Sequence, residues 1–179
     1  MTPKKVVPDT SVLIDGRISA MVEQGDLKGA HVVVAEASVA ELEHLANSGR
    51  GIGWKGLREL SRLRELAGAA TIRLEFFGSR PTDVEVAAAP GGAIDNLIRS
   101  VALEVGAELV TSDRVQSEVA RARGVPVNYI KPDLAEQVQF ENLKIHRFFD
   151  EQTFSAHLKE GTAPHAKRGT IGNIRYGPT

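Results

Sequence analysis

Four acidic residues, Asp9, Glu41, Asp95 and Asp113, have the type and placement that divalent-cation chemistry requires. Asp9 ends the apolar run Lys5-Val6-Val7-Pro8, and Asp113 ends Glu108-Leu109-Val110-Thr111-Ser112. Glu41 and Asp95 fall near the starts of two predicted helices. In a parallel α/β sheet, strand ends and helix N-terminal turns converge at the crevice outside the carboxyl edge. Carboxylates crowded there repel one another and favour a hard, oxygen-liganded cation such as Mg²⁺ or Mn²⁺. An ion so held acidifies a water and neutralises phosphate charge, which points to phosphodiester hydrolysis without a His, Cys or Ser nucleophile.

The elements that must deliver these side chains follow from periodicity. Up to about Pro132, short apolar runs alternate with amphipathic stretches, the pattern of βα units around a parallel sheet. Strands are expected at Lys5–Asp9, His31–Ala35, Thr71–Phe76, Ala107–Ser112 and Pro126–Ile130. Helices are expected around Ile18–Gln24, Ser38–Asn47, Trp54–Ala67, Ala93–Val105 and Val115–Arg123. Ile94, Leu97, Ile98, Val101, Ala102 and Val105 share one helical face, and Gly106 and Gly124 are placed as helix stops.

Composition narrows the classes. The 179 residues suffice for one well-buried domain plus an appendage. With 22 basic and 23 acidic residues the chain is not a globally basic nucleic-acid binder, although a locally basic face is compatible. The lack of cysteine excludes disulfides, thiolate zinc sites and cysteine nucleophiles. Met1–Lys5 carries no signal-like apolar region and no stretch has the length of a membrane span, so a cytoplasmic protein is expected.

Each acid also has a local structural role open to it. Ser38-Val39-Ala40-Glu41 fits a capping box, Asp95 suits a helix N-terminus, and Asp113 or Asp9 could N-cap the helix that follows. Taken singly, these readings compete with metal binding; all four acids together, in order and at the right ends of elements, favour the metal. Glu36 and Glu43 are spare acids expected to be solvated. Gly51-Ile52-Gly53-Trp54-Lys55-Gly56 matches GxGxxG in letters only, because it follows a helix rather than a strand. Its glycines are expected to form a mobile loop. No GxxxxGK[ST] occurs.

Several segments resemble the PIN domain, a family of metal-dependent ribonucleases. They are VVPDTSVLIDGRI (Val6–Ile18), VVVAEASVAELEHL (Val32–Leu45), GGAIDNLIRSVALEVGAELVTSD (Gly91–Asp113) and GVPVNYIKP (Gly124–Pro132). The resemblance implies a three-layer α/β/α fold with a central parallel sheet. It makes Asp9, Glu41, Asp95 and Asp113 the catalytic acids and ligands of Mg²⁺ or Mn²⁺, with RNA as the partner. Cleavage would leave a 5′-phosphate and a 3′-hydroxyl. Thr10 and Ser11 would support Asp9, and Thr111 and Ser112 would support the metal site or touch substrate. Asp15 fits an Asp-Gly turn of this subgroup. Leu143–Gly169 is similar to the segment that follows PIN in the PIN-domain ATPases, which suggests a longer protein and, if joined to an ATPase, a ring-shaped homo-oligomer. A non-catalytic oligomerisation or RNA-docking module of such an ATPase is the alternative. A toxin-type PIN nuclease is another, and the long tail argues against it.

Arg50, Lys55 and Arg58, with Arg62, could form a phosphate-contacting rim, or simply a solvated helix face. Trp54, the sole tryptophan, is expected to be partly buried at a helix start, with base stacking as its alternative. The domain plan is a nuclease domain over 1–132, a β-hairpin appendage over 133–160 and a Gly/Lys/Arg-rich linker or arm over 161–179. In the appendage, Leu143–Phe149 and Thr153–Lys159 are the expected strands, with Asp150-Glu151-Gln152 as their turn. Phe148, Phe149 and Phe154 would pack the appendage onto itself or a neighbouring subunit.

Overall fold

The structure, a computed structural model, describes residues 3–88, 92–131, 148–159, 161–170 and 172–178. The chain divides into two compact units, Met1–Lys131 and Pro132–Thr179. The first contains β1 (Lys5–Pro8), α1 (Thr10–Ile14), α2 (Arg17–Gln24), β2 (His31–Ala35), α3 (Glu36–Asn47) and α4 (Gly51–Gly68). It continues through β3 (Arg73–Phe77), α5 (Asp83–Ala88), α6 (Ala93–Glu104), β4 (Glu108–Thr111), α7 (Arg114–Ala122) and β5 (Val127–Tyr129). Its five strands form a parallel sheet in the order β3-β2-β1-β4-β5.

Burial on both faces explains the continuous apolar character of β1 and β2. Val6, Val32, Val34 and Val110 point to one side and pack with Leu13, Ile18, Leu42, Leu60 and Leu63. Val7, Val33, Ala35 and Leu109 point to the other and pack with Ala40, Ile94, Ile98, Val101 and Ala120. Successive side chains on a strand alternate sides, so the two cores make three layers. The expected α/β/α architecture is thus present. From central β1 the chain passes to β2 on one side and later to β4 on the other. That switch opens a crevice beyond the carboxyl ends of β1 and β4.

Local departures from the expected elements have physical causes. Helix α4 begins at Gly51, so the glycines read as a mobile loop are helical. Gly53 and Gly56 face α3 at a very close approach: a Cβ at Gly53 would lie 2.6 Å from the Leu42 carbonyl oxygen, and one at Gly56 would overlap the Leu42 side chain. Each glycine costs a helix interior about 1 kcal/mol relative to alanine, and the tight helix contact is what it permits. Helices α1 and α5, of five and six residues, were too short for periodicity to reveal.

The second unit is an antiparallel sheet of β6 (Thr153–His157), β7 (His165–Thr170) and β8 (Asn173–Pro178), in that order. The segment expected as a linker or arm therefore supplies two strands. Its sequences HAKRGT and NIRYGP lack the apolar alternation of a half-buried strand because both faces are largely open, with Ala166 the buried residue. Of the strand expected over Leu143–Phe149, residues 143–147 lie outside the described residues, and Phe148 and Phe149 are not in a strand. The turn before β6 is as expected, with Asp150 Oδ1 accepting from the Gln152 amide and the Thr153 hydroxyl at 3.0 and 2.7 Å. Phe149 and Phe154 are exposed rather than packed on the appendage. Among the described residues no helix is long and apolar enough to cross a membrane.

Candidate active site

Asp9 leaves the end of β1 and is 3% exposed. Its amide donates to the Val110 carbonyl at 2.9 Å, which locks the start of α1 to the end of β4. It stands at the N-cap position of α1, yet its side chain makes no cap hydrogen bond. Oδ2 instead accepts from Ser11 Oγ at 2.7 Å and from Thr111 Oγ1 at 2.8 Å. The capping role open to Asp9 is therefore not taken, and its carboxylate is held by hydroxyls from two different elements.

The same two hydroxyls reach the β4–α7 turn. Thr111 Oγ1 accepts from the Asp113 amide at 3.0 Å, and Ser11 Oγ accepts from the Ser112 amide at 3.2 Å. Thr111 is fully buried, and its hydroxyl is engaged by Asp9 and the Asp113 amide. Asp113 caps α7, with Oδ1 accepting from the Gln116 amide at 3.0 Å. Asp113 is nonetheless exposed, compatible with a second task.

Glu41 lies inside α3, whose N-cap is Ala35. Ser38 is already helical and fully buried, so the capping box does not form and Glu41 is not tied to a backbone amide by it. Burial pushes the Glu41 carboxyl above the ordinary carboxylate range; the neighbouring Thr10 hydroxyl opposes this, and the Asp9 and Asp95 charges add to it. Thr10 Oγ1 is itself buried without a partner at ordinary hydrogen-bond length. Asp95, in the first turn of α6, is also raised, by burial and then by the charges of Asp9 and Asp113, while Arg99 works the other way. The four acids thus share one electrostatic field.

Two residues that the sequence did not flag organise this field. Gln116 is fully buried. Its side-chain amide donates to the Asp95 carbonyl at 3.2 Å, and its Oε1 accepts from the Arg99 guanidinium. Together with its backbone bond to Asp113, it ties α6 to α7 at the two acids they carry. Arg99 is 7% exposed, its charge is disfavoured by burial and supported by Asp95, and its Nε has no partner.

The spare acids are accounted for, since Glu36 and Glu43 both pair with Arg80. On α4, Arg62 is engaged by Glu23 and Glu65, which removes it from the expected rim, whereas Arg50, Lys55 and Arg58 are exposed. Trp54 is 57% exposed, not the partly buried anchor expected at a helix start. Asp15 sits at the C-cap of α1 before left-handed Gly16, as the Asp-Gly turn requires.

Carboxylate oxygens are the donors that a hard divalent cation takes, and Glu41 and Asp95 are disfavoured as anions by burial first and then by neighbouring acids. Among the described residues, no group of three or more His, Asp or Glu side chains is arranged to hold a metal ion.

Residues 6–122 match the PIN domain. A KH and PIN-domain containing protein of Methanocaldococcus jannaschii is 45% identical over 98% of the chain. The Holliday junction branch migration ATPase PINA of Sulfolobus acidocaldarius is 27% identical over 98%, and a PIN and TRAM-domain containing protein of Thermus thermophilus 32% identical over 92%. The chain spans 27%, 31% and 44% of the lengths of these curated relatives. A solved domain of a functionally unknown protein from Methanocaldococcus jannaschii is similar at a TM-score of 0.69 and 46% identity, over 72% of this chain and 92% of that one.

Proposed function

The chain belongs to the PIN domain family, and we propose that it is a ribonuclease whose Mg²⁺ or Mn²⁺ is held by Asp9, Glu41, Asp95 and Asp113. PIN domains are in general metal-dependent nucleases, so phosphodiester hydrolysis is the class of reaction. The observation that carries the assignment is Asp9, which makes no cap bond to α1 and is held instead by the Ser11 and Thr111 hydroxyls; beside it Glu41 and Asp95 are raised by burial first and then by the charges of neighbouring acids. Carboxylates near enough to raise one another cost stability unless a cation offsets their repulsion.

The protein's own groups have distinct tasks in this scheme. Ser11 and Thr111 bind one oxygen of Asp9, Oδ2, so that Oδ1 would be the oxygen available to a cation. Asp113 offers Oδ2, because Oδ1 is committed to the Gln116 amide. Glu41 and Asp95, whose carboxyls burial and then the neighbouring acid charges raise, would be favoured in their charged form by a bound cation. When bound, a divalent ion supplies charge neutralisation at the phosphate and a more acidic water. Arg50, Lys55 and Arg58 would contact backbone phosphates of the RNA, and Ser112, at the end of β4, is a candidate substrate contact.

Anomalous scattering from crystals grown with Mn²⁺ tests the ligand set. A peak within coordinating distance of Asp9 and at least two of the other three acids is expected. A peak at other residues, or none at saturating Mn²⁺, would refute the assignment.

A second reading has its own support. The similarity to the branch migration ATPase runs through 98% of the chain, the second unit included. On that reading the chain is an oligomerisation or RNA-docking module of a larger ATPase. A stable ring in sedimentation together with no gain in thermal stability from Mn²⁺ would favour it.

A further inference from the structure

The N-terminal half of α4 combines features that ordinary solvated helices lack. Its inner face is buried through Gly53, Gly56, Leu60 and Leu63, yet Trp54 and Ile52 remain 57% and 42% exposed. Around them, Arg50, Lys55 and Arg58 are exposed, and among the described residues their side chains make no ion pair. The C-terminal half of the same helix differs, because there Arg62 is held by Glu23 and Glu65 and Arg64 lies over the Phe76 ring. No acidic residue occurs between positions 50 and 58. The cations of one half are satisfied internally, and those of the other are left for an anionic partner.

We propose that this surface docks a single strand of nucleic acid, with Trp54 as the platform on which an unpaired base stacks and Arg50, Lys55 and Arg58 as its phosphate contacts. An exposed indole beside unpaired cations suits a ligand that is apolar on its base faces and anionic along its backbone. A duplex buries its base faces, so stacking on Trp54 selects a single strand or an extruded base. Trp54 and Arg58 lie one helical turn apart on the same side of α4, which lets one nucleotide meet both. The helix packs against α1, which starts next to Asp9, and against α3, which carries Glu41, so the surface belongs to the same packed group of helices as two of the acids. The proposal rests on the nuclease reading only for taking the strand to be RNA.

Because Trp54 is the only tryptophan, its fluorescence reports on this surface alone. Titration of the full chain in EDTA with a short oligouridylate is expected to quench that fluorescence saturably; oligothymidylate is the DNA arm. By anisotropy of a labelled strand, Trp54→Ala should weaken binding about tenfold and Trp54→Phe should keep most of it. Lys55→Glu with Arg58→Glu should weaken it further and flatten its dependence on salt. Unchanged affinity in Trp54→Ala, or no binding to the wild-type chain, overturns the proposal. A protein-concentration-dependent blue shift with a dimer in sedimentation overturns it in favour of a second copy of this chain. No metal is present in these titrations, so their failure is separate from failure of the acid site, which the Mn²⁺ crystals address.

Discussion

The Thr111 hydroxyl donates to the Asp9 carboxylate at 2.8 Å, across 102 positions of chain. The bond joins the ends of β1 and β4, neighbouring strands of the sheet, and it is wholly buried. Thr111 also accepts from the Asp113 amide, so one hydroxyl sets the positions of two of the four acids.

Thr111→Val keeps the shape and removes that hydroxyl. Hydrogen bonds to charged groups contribute about 1.5–3 kcal/mol, so a loss of stability in that range is expected. Supporting residues of this kind typically change metal affinity or activity by about 10- to 100-fold. Chemical denaturation and Mn²⁺ calorimetry on the same variant measure both effects. Unaltered Mn²⁺ affinity would show that the hydroxyl serves the fold alone.

Asp113 has a cap and a proposed ligand role, and two substitutions separate them. Asn is as good an N-cap as Asp, so Asp113→Asn should fold with near wild-type stability while losing cleavage. Asp113→Ala should lose cleavage and, in addition, about 1 kcal/mol of stability. Cleavage retained by Asp113→Asn would leave this residue as a cap and nothing more.

How much of this was legible beforehand varied with the kind of signal. The run His31–Ala35 became β2 with the expected bounds, because five buried residues rich in valine leave little else for the chain to do. Asp9, Asp95 and Asp113 stand at or near element ends as expected, whereas Glu41 lies inside α3, which begins two residues earlier than periodicity suggested. Gln116 and Arg99 were hidden because hydrophobicity misleads on α7: Val115 is 70% exposed while its neighbour Gln116 is fully buried. A polar residue in the core is chosen by its partners, which come from α6 and cannot be read along α7. The start of α4 was misplaced for a related reason. Glycines usually mark loops, and here their role is set by the nearness of α3.

That buried network makes a third prediction. Gln116→Leu deprives the buried Arg99 guanidinium of its acceptor and frees the Asp95 carbonyl. A hydrogen bond to a charged group contributes about 1.5–3 kcal/mol, and a loss of that size is expected because Asp95 still supports the Arg99 charge. Urea denaturation should show the fall, and Arg99→Met in the same chain should recover part of it by removing the stranded charge. No recovery would mean that Gln116 is needed for packing rather than for Arg99.

Glu41 and Asp95, both raised, act on stability in the sense opposite to a paired carboxylate. In the window between their ordinary and their raised pKa values the folded protein holds protons that the unfolded chain has released. Stability from these two groups is therefore greatest at the acid end and falls as pH rises through the window. The difference in urea midpoint between wild type and Glu41→Gln/Asp95→Asn isolates their contribution. It should decline with pH in the absence of divalent ions and flatten in saturating Mn²⁺. A difference that increases with pH would contradict the repulsion inferred among the four acids.

The central claim is that the acids at the crevice are the catalytic metal ligands. The most direct measurement is the Mn²⁺-dependent cleavage rate of a labelled single-stranded RNA by wild-type protein and by Asp9→Asn, with folding checked by circular dichroism. The account predicts cleavage by the wild type that EDTA abolishes, and a folded Asp9→Asn variant without detectable activity. A folded Asp9→Asn protein that cuts RNA at the wild-type rate would contradict it.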